Sequence, residues 1–402
     1  MKNKISSFIN YRSRFRSNLI LLSSLLIVLA GCAGLVKLDL PSESERDADE
    51  SWTMLGKNDQ RQHFSTKNVV PPLDIVWKKR VKSVVVDHPL AIGDYIIAPT
   101  KAGELYLVDY LTGSGIGTGK IGVAMDNAPM ISGNSLLVAM KAGKEKLLKL
   151  DLRYAEKEYN QPYPAINTSP LVWEDKIYFG SDRKRFFCAE FQSGEQIWEY
   201  ETEGAVHSSP ARSGNTIILA DVNGNLYALD AEEGTEVWKT QLTGTIYSHP
   251  VLDDEHIFIG TVSGNFYAVS VETGETVWEK SFPGSVYSSP SIYGNELYIG
   301  HNAHELLCIY KTTGEIVWRY QTEGIINTVP LPSPDYVYVT SWDKNLHVVN
   351  RLSGQLVFKY ELKKPVKSSP IIYRDYLLLH LANDQLIALA NEKIVTERRP
   401  KL

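Results

Sequence analysis

One glycine-rich segment has the spacing of a nucleotide-binding loop. Gly117, Gly119 and Gly122 match the Gly-x-Gly-x-x-Gly fingerprint, in which backbone amides approach a pyrophosphate. That chemistry requires a strand before the segment and a helix after it. A P-loop is also excluded, because Ser114 replaces the upstream glycine and Ile121 replaces the Ser or Thr that binds magnesium. The chain contains a 40-residue repeat, and this segment aligns with the outer strands of the other repeats, where no helix follows. We therefore interpret it as a glycine-rich strand edge.

Two cysteines, Cys188 and Cys308, are candidates for redox chemistry. The two cysteines are 120 residues apart, which is three lengths of the 40-residue repeat. Both therefore occupy the same position of the repeat, where other repeats have Ala228 and Ala268. A free cysteine behaves as a small hydrophobic residue at such a position. Three repeats around a ring would also separate the two by more than the roughly 6 Å that a disulfide allows. We therefore predict that both cysteines fill the core.

The histidines show no spacing typical of a zinc site. His301 and His304 are the closest pair, but residues three apart share a face on a helix and not in a loop beside a strand. No motif therefore indicates catalytic residues, a metal or a cofactor. We predict that the protein is not an enzyme and that it binds none of these groups.

The charge balance argues against one class of partner. Residues 1–31 carry five basic residues and no acid, and the remaining chain has 37 basic and 47 acidic residues, a net charge of −10. Proteins that bind nucleic acid neutralise phosphates with clusters of Lys and Arg. We do not expect a chain this acidic to bind nucleic acid.

An internal repeat of 40 residues runs through most of the chain. Marker prolines recur every 40 residues, with one interval of 41, at Pro89, Pro129, Pro170, Pro210, Pro250, Pro290, Pro330 and Pro370. Twelve residues before six of them stands a large aromatic residue: Trp77, Trp198, Trp238, Trp278, Trp318 or Phe358. A glycine precedes most of these aromatics by four residues, at Gly194, Gly234, Gly274, Gly314 and Gly354, and Gly113 has the same position in the first repeat.

The unit over residues 206–241 indicates what each repeat forms. Four short segments rich in β-branched and aromatic residues are separated by turns that contain Gly and Asn. They cover residues 206–211, 216–220, 226–230 and 236–241. Four antiparallel strands in about 40 residues are typical of a propeller blade. Eight repeats predict an all-β fold, an eight-bladed β-propeller of four-stranded antiparallel blades over residues 73–391.

The two ends of the repeat region indicate how the ring closes. The last unit has three clear strands over residues 366–390, whereas the strand at residues 74–79 precedes the first marker proline. We predict that the strand around Trp77 supplies the fourth strand of the last blade and hides an otherwise open sheet edge. The C-terminal tail, residues 392–402, is the alternative partner for that edge.

The N-terminus has the features of a secretion signal. Basic residues precede an apolar run over residues 19–29, which is shorter than a membrane span. The sequence that ends this run, Leu29-Ala30-Gly31-Cys32, resembles the bacterial lipobox. That resemblance implies removal of residues 1–31 and lipidation of Cys32, and Ala33 after the cysteine favours the outer membrane. An uncleaved anchor with an incidental cysteine is the alternative.

Residues 32–72 are predicted to form the lipidated N-terminus and a tether. Within them, residues 41–51 are acidic and lack large apolar side chains, a composition that favours disorder. Trp52 begins a short Trp-x-x-x-Gly segment, which we expect to pack on the propeller.

One repeat position varies from blade to blade. Three residues before each marker proline stand Val86, Asp126, Asn167, His207, Tyr247, Tyr287, Asn327 and Lys367. The position that follows is almost uniformly small and polar, which indicates a structural role. The variable position lies at the start of the innermost strand of each blade, near one mouth of the central channel that the blades surround. We predict a partner-binding surface there, formed by Asn167, His207, Tyr247, Tyr287 and Asn327, since tyrosine offers both apolar area and a hydroxyl. Solvated loop ends are the alternative.

The repeat resembles the PQQ-like, quinoprotein-type propeller repeat. The shared pattern reads Ala228-Leu229-Asp230, Glu233-Gly234, Trp238 in one blade and Ala268-Val269-Ser270, Thr273-Gly274, Trp278 in the next. Blades one and two depart from it, and blade two, residues 126–159, lacks both the turn glycine and the tryptophan. Quinoprotein dehydrogenases of this fold use a neighbouring cysteine pair and long inserts that build a calcium site. The chain has neither, so a PQQ-dependent dehydrogenase is a distant alternative.

With the lipobox and the tether, eight such repeats resemble the lipoproteins that assemble outer-membrane proteins. The resemblance implies a lipid-anchored periplasmic scaffold in the cell envelope, held at the outer membrane, that binds proteins and assists the insertion of outer-membrane β-barrels. The implied partners are proteins, among them the β-barrel assembly machinery, and the membrane through the lipid. A generic PQQ-repeat binding or sensor lipoprotein is the alternative.

Overall fold

The computed structural model describes residues 36–47, 49–382 and 384–398, and these form an almost entirely β-structure. Within these ranges the strands make eight four-stranded antiparallel sheets, the blades of an eight-bladed propeller. The fold class predicted from the 40-residue repeat is confirmed. Cys32 and the predicted signal segment lie outside the described residues. Inside them, no helix has the length and apolar character needed to cross a membrane.

Blades one to seven each consist of four strands that are consecutive in the chain, and blade eight combines the last three strands with the first. The first strand, β1, is Leu73–Arg80. Blades one to four contain, in order, β2 to β5 (Leu90–Ile92, Tyr95–Pro99, Glu104–Asp109, Gly115–Lys120), β6 to β9 (Met130–Ser132, Ser135–Ala139, Leu147–Asp151, Glu156–Gln161), β10 to β13 (Leu171–Trp173, Lys176–Gly180, Arg185–Glu190, Gln196–Glu201) and β14 to β17 (Ala211–Ser213, Thr216–Ala220, Asn225–Asp230, Glu236–Gln241). Blades five to eight contain β18 to β21 (Val251–Leu252, His256–Gly260, Asn265–Ser270, Thr276–Ser281), β22 to β25 (Ser291–Tyr293, Glu296–His301, Glu305–Tyr310, Ile316–Gln321), β26 to β29 (Leu331–Pro332, Tyr336–Thr340, Asn345–Asn350, Leu356–Glu361) and β30 to β32 (Ile371–Tyr373, Tyr376–Leu381, Gln385–Asn391).

The first strand of the chain completes blade eight. β1 pairs antiparallel with β32, with Trp77 opposite Ala388 and Arg80 opposite Gln385. This pairing joins the two ends of the propeller, so the sheet edge of the last blade is covered. The C-terminal residues that the structure describes do not occupy that edge. Glu392–Arg398 instead form a short helix, α1, that contacts both β1 and β32.

The strands of a blade differ in burial because the blade is packed between two neighbours while its fourth strand faces solvent. In blade four, Ile217, Ile218 and Leu219 of β15 are fully buried, whereas Val237 of β17 is 55% exposed. Each hydrophobic cluster contains residues from adjacent blades, such as Ile218 with residues of blade five. The cores therefore lie between blades, and each blade depends on its neighbours.

A tryptophan in the fourth strand ties most blades to the next one. Trp198 Nε1 donates to Ala231 O in blade four at 3.2 Å, and Trp238 Nε1 donates to Val271 O in blade five at 3.0 Å. The turn glycine of the next blade lies on the indole, since a Cβ on Gly234 would be 2.5 Å from Trp198. Gly234 has a φ of 70°, which glycine adopts without steric cost. The same indole hydrogen bond is made by Trp77, Trp278 and Trp318.

Blades one and two, which depart from the repeat in sequence, modify this contact. Tyr159 in β9 takes the place of the tryptophan: Gly194 of blade three lies on its ring, and its hydroxyl donates to Phe191 O at 3.3 Å. In blade one, Gly117 offers no ring, and the matching turn of blade two has Ala155 with a φ of 56°. The turn of blade two therefore lacks the glycine where the outer strand of blade one lacks the aromatic ring. The glycine-rich segment of blade one forms the outer strand β5, as its register predicted, and no helix follows it.

The N-terminal residues described by the structure lie against the propeller. Leu38 N donates to Leu152 O at 2.9 Å, and the Leu38 side chain is buried. Arg46 donates to Gly133 O at 2.6 Å and to Asn134 Oδ1 at 2.8 Å. The acidic composition around Arg46 favours disorder in the sequence, but these contacts to blade two hold the segment in place.

We expect Gly234→Ala to lower the free energy of unfolding by about 2–4 kcal/mol, because the new Cβ would overlap Trp198 at a left-handed φ. Gly214→Ala is the matched control. Its φ is 54° and no atom lies within 4 Å of the new Cβ, so only the conformational cost of about 1 kcal/mol remains. Thermal unfolding followed by circular dichroism compares the two variants. Equal losses would contradict a role for the glycine–indole contact.

Candidate binding site in the central channel

The innermost strands of the eight blades surround a central channel. In five blades, the hydroxyl of the uniform position bonds to the second strand of its own blade. Ser248 Oγ donates to Gly260 O at 2.8 Å, and Thr168 Oγ1 accepts the Gly180 amide at 2.9 Å. Such contacts hold the segment directly before the innermost strand, and this segment carries the variable residues. This agrees with the structural role assigned to the uniform position.

Hydrogen bonds connect several pairs of neighbouring blades at the position before the marker proline. Ser209 N donates to His249 Nδ1 at 2.9 Å, and His249 N donates to Ser289 Oγ at 2.8 Å. At the closure of the ring, Ser369 N donates to Asp87 O at 2.8 Å. These bonds link neighbouring innermost strands around the channel and hold the side chains of this position beside it.

Residues 52–65 cross one end of the channel and close it. Their backbone forms hydrogen bonds with the innermost strands of six blades: Trp52 with Ala91, Thr53 with Ile131, Asp59 with Arg212, Gln60 with Leu252, Gln62 with Ile292 and Ser65 with Pro332. Trp52 is fully buried, and its indole donates to Ile372 O of blade eight at 2.7 Å. We call these residues the closing segment.

Arg61 is the more deeply buried of two cations in the closing segment, with 2% of the residue exposed against 8% for Lys57. Nε donates to Pro210 O at 2.9 Å and Nη1 donates to Leu55 O at 2.7 Å. Nη2 is also buried, and no described residue accepts a hydrogen bond from it. Burial lowers the pKa of Arg61 to about 10, although Asp59 and Asp87 oppose the shift, so the guanidinium stays charged at neutral pH.

A cavity of about 260 Å³ lies between Arg61 and the open mouth of the channel. Its walls include Leu55, Gly56, Arg61 and His63 of the closing segment together with Asp87, His88, Asn127, His207, Tyr247, His249, Tyr287, Ser289, Asn327 and Ser369 of the blades. The closed end is therefore rich in buried polar groups, and the mouth carries tyrosine rings.

Three histidines of this cavity stay uncharged at neutral pH. Burial lowers the pKa of His63 well below its ordinary value, that of His88 to about 4 and that of His249 to about 3, and the Arg61 charge adds to the last two shifts. In His249, Nδ1 accepts the Ser209 amide. The proton of the neutral ring is therefore assigned to Nε2, which makes that atom a donor.

Asp87 is an acid at a position that most blades fill with a hydroxyl. Its Oδ2 accepts the Ala128 amide at 2.6 Å. Removal from water raises its pKa to about 6, although the Ala128 hydrogen bond and the charges of Lys101 and Arg61 oppose the shift. The closed end thus holds one permanent cation and a carboxyl group that titrates near neutral pH.

The predicted partner-binding residues lie at the mouth, with one exception. Tyr247 and Tyr287 are 43% and 41% exposed, and their stacked rings have centroids 6.3 Å apart. The His207 ring is 6.0 Å from that of Tyr247, and Asn327 also lines the cavity. Asn167 is buried behind His207, with its Nδ2 3.2 Å from His207 Nε2, and is not part of the cavity wall.

The residues of the closed end were not predicted from the sequence. Arg61 and His63 lie outside the repeat, so no comparison of blades could select them. Asp87, His88 and His249 had a signal. Asp87 stands where six of the eight blades have Ser or Thr, and the two histidines stand where four blades have Ser. Those interruptions could have identified the blades that contribute to the closed end.

The fold and its repeats define an eight-bladed propeller of PQQ-like repeats. The profile of one family, described as outer membrane protein assembly factor BamB, matches residues 44–200, 190–324 and 305–394. The chain belongs to this family, and the resemblance predicted from its repeats is confirmed. No curated protein matches the chain.

Solved structures of low sequence identity share the fold. The crystal structure of BamB from Moraxella catarrhalis has a TM-score of 0.66 at 19% identity, over 80% of this chain and 98% of that chain. The quinohemoprotein alcohol dehydrogenase ADHIIG from Pseudomonas putida HK5 has a TM-score of 0.74 at 12% identity, over 85% and 81% of the two chains. The enzyme from Comamonas testosteroni has a TM-score of 0.73 at 11% identity, with the same coverage. The fold is therefore shared with proteins of different activities.

The residues present do not fit a quinone and its metal. Pyrroloquinoline quinone is a fused tricyclic tricarboxylate, whereas a cavity of about 260 Å³ accommodates roughly ten non-hydrogen atoms, scaled from a cavity that binds benzene. Cys188 and Cys308 are fully buried in blades three and six, opposite Trp198 and Trp318 in the strand register. Among the described residues, no group of three or more His, Cys, Asp or Glu is placed to hold a metal ion.

We expect Asp87→Asn to stabilise the protein more at about pH 7.5 than at about pH 4.5. The folded-state pKa of about 6 lies above the ordinary value of 3.8, so ionisation of Asp87 costs folding free energy as the pH rises through this window. The gain in the free energy of unfolding caused by Asp87→Asn should be about 2 kcal/mol larger at the higher pH. Asn also tolerates the φ of 48° at this position, an effect that does not depend on pH.

Denaturant unfolding at the two pH values measures this difference. Asp375→Asn, at an exposed carboxylate, is the control for the loss of a surface carboxyl group. A gain for Asp87→Asn that is the same at both pH values would contradict the raised pKa.

Proposed function

We propose that this chain is a lipid-anchored scaffold of the bacterial cell envelope that binds proteins and assists the assembly and insertion of outer-membrane β-barrel proteins. The observation that carries the proposal is membership of the assembly-factor family, whose matched segments run from residue 44 to residue 394 and include strands of every blade. The predicted lipidation of Cys32 supports a place at the membrane, and Ala33 favours the outer membrane.

The two faces of the propeller differ in a way that suits an anchored scaffold. Strand direction alternates within a blade, so the turns after the first and third strands share one face, and the mouth residues lie on the other. Arg46 contacts Gly133 and Asn134 in a turn of the first kind, on the face that the closing segment covers. A lipid at Cys32 would therefore hold the closed face towards the membrane and leave the mouth free.

The mouth face carries exposed aromatic side chains. Tyr247 and Tyr287 stack on each other at the channel entrance. Trp342, in the turn between β27 and β28, is 48% exposed on the same face, and Lys367 Nζ lies 5.9 Å from its ring. Large aromatic residues with a polar atom are enriched at the energetic centres of protein interfaces. This face is the proposed partner surface.

We expect Cys32→Ser to release the protein from the membrane fraction, because the thiol is the proposed site of lipidation. Cell fractionation measures the release, and mass spectrometry of the wild-type N-terminal peptide tests whether the mature chain begins at Cys32 with acyl groups attached. Retention of residues 1–31 in the mature protein would contradict the anchor.

We expect gentle detergent extraction of the tagged protein to recover the β-barrel insertion machinery in stoichiometric amounts, as quantified by mass spectrometry. The double variant Tyr247→Ala/Tyr287→Ala should reduce that recovery by about tenfold or more, since two interface aromatics are removed. Tyr154→Ala/Tyr310→Ala is the matched control, because those tyrosines are 54% and 40% exposed on the closed face.

The absence of the machinery from the wild-type extract, under conditions that keep it intact, would exclude the assembly role. Stoichiometric recovery of another protein would then support the alternative, a generic binding or sensor lipoprotein. Equal recovery with both double variants would retain the assembly role and move the partner surface away from the mouth.

A further inference from the structure

The closed end of the channel presents a charged donor whose hydrogen-bonding capacity is not used. Arg61 Nη2 is buried without an acceptor among the described residues, whereas Nε and Nη1 of the same side chain are both bonded. The two nearby acids are engaged elsewhere: Asp59 accepts from Arg212, and Asp87 accepts from the Ala128 amide. A buried charged donor left unpaired is costly, which points to an acceptor supplied from outside the chain.

A second donor belongs to the same cavity. His63 Nε2–H donates to Pro370 O at 3.0 Å and His88 Nδ1–H donates to Pro89 O at 2.9 Å, so these protons are committed to the backbone. His249 differs, because its Nδ1 is the acceptor and its Nε2–H remains on a ring that lines the cavity. Arg61 and His249 together offer an N–H cation and a neutral N–H to one ligand group.

The cavity favours a carboxylate over an inorganic oxyanion. Arg61 is the one permanent cation of the wall, and Asp87 lies at the same end, so a doubly charged phosphate would be poorly balanced. A guanidinium binds a single carboxylate well. Tyr247 and Tyr287 at the mouth offer apolar ring area to an organic body, and about 260 Å³ limits that body to roughly ten non-hydrogen atoms in total.

We propose that the central channel is a binding site for a small organic carboxylate, with the carboxylate at Arg61 Nη2 and His249 Nε2 and the organic part directed towards Tyr247 and Tyr287. The site is built by the closing segment and the blades together, because Arg61 comes from the former and His249 from the latter. It is a function additional to partner binding on the outer mouth face. Tyr247 and Tyr287 belong to both proposals, but ligand binding by the purified protein is measured without the partner, so the two proposals can fail separately.

The probe for this site is 4-bromobenzoate, and its matched control is 4-bromobenzamide, which has the same shape without the charge. Isothermal titration of the purified protein with its closing segment intact should show one site for the benzoate at about pH 7.5. The benzamide should bind about tenfold more weakly or not at all, because it cannot form the charged hydrogen bond to Arg61. In crystals, the bromine anomalous signal should lie in the channel near Tyr247 and Tyr287.

Two variants test the assigned residues. Arg61→Lys keeps the buried charge but lacks the guanidinium fork, and it should weaken the benzoate by about tenfold. Asp87→Asn removes the competing negative charge and should tighten binding severalfold, so a result is obtained even if the Arg61 variant does not fold. Arg319→Gln, at an exposed arginine paired with Glu305 on an outer strand, is the control for charge and should bind as the wild type does.

Several outcomes would overturn the assignment. They are equal affinities for the benzoate and the benzamide, a bromine position outside the channel, or a bromine seen in crystals without binding in solution. Displacement of the benzoate by inorganic phosphate at equal concentration would also overturn it, because the site would then be a general anion site. Binding that survives in every variant would exclude Arg61 and Asp87.

Discussion

The pairing of β1 with β32 is the contact on which the rest of the propeller depends. Each blade packs its hydrophobic residues against two neighbours, so a ring with an incomplete last blade would expose both a sheet edge and the core beside it. Trp77 lies in the closing strand, and its indole donates to Tyr110 O of blade one. One strand therefore completes blade eight and ties that blade to blade one. Closure also determines where the N-terminal residues lie, because only seven residues separate the closing segment from β1.

The contact between an aromatic ring and the turn of the next blade explains both the regular blades and the irregular ones. The indole needs a carbonyl oxygen to accept its N–H, and it leaves no room for a Cβ at the turn that covers it. Where the ring is Trp198, the turn residue is Gly234, and where Gly117 stands in place of the ring, the turn residue is Ala155. The turn residue and the aromatic residue are four residues apart in each repeat. The turn residue contacts the preceding blade, whereas the aromatic residue contacts the next blade.

The channel combines a uniform scaffold with a few exceptions to it. Hydroxyls at one repeat position hold the innermost strands, and hydrogen bonds at the next position link the blades. Asp87, His88 and His249 interrupt these positions, and the closing segment places Arg61 beside them. Burial then sets their charge states: the three histidines of the closed end stay neutral, Asp87 titrates near neutral pH, and Arg61 remains a cation. The chemistry of the closed end follows from this burial.

The sequence by itself determined the blades, their number, their strand order and the part played by the strand around Trp77, because the glycines, aromatics and turns that specify them act over short distances and recur every 40 residues. It also marked the variable position that carries Tyr247 and Tyr287. The position of Arg61 was decided only by the tertiary structure. Arg61 lies outside the repeat, and its partners Leu55, Pro210 and the channel residues come together only when the ring closes beneath the closing segment. The burial and the charge state of Arg61 depend on that packing, so they cannot be derived from the amino-acid composition.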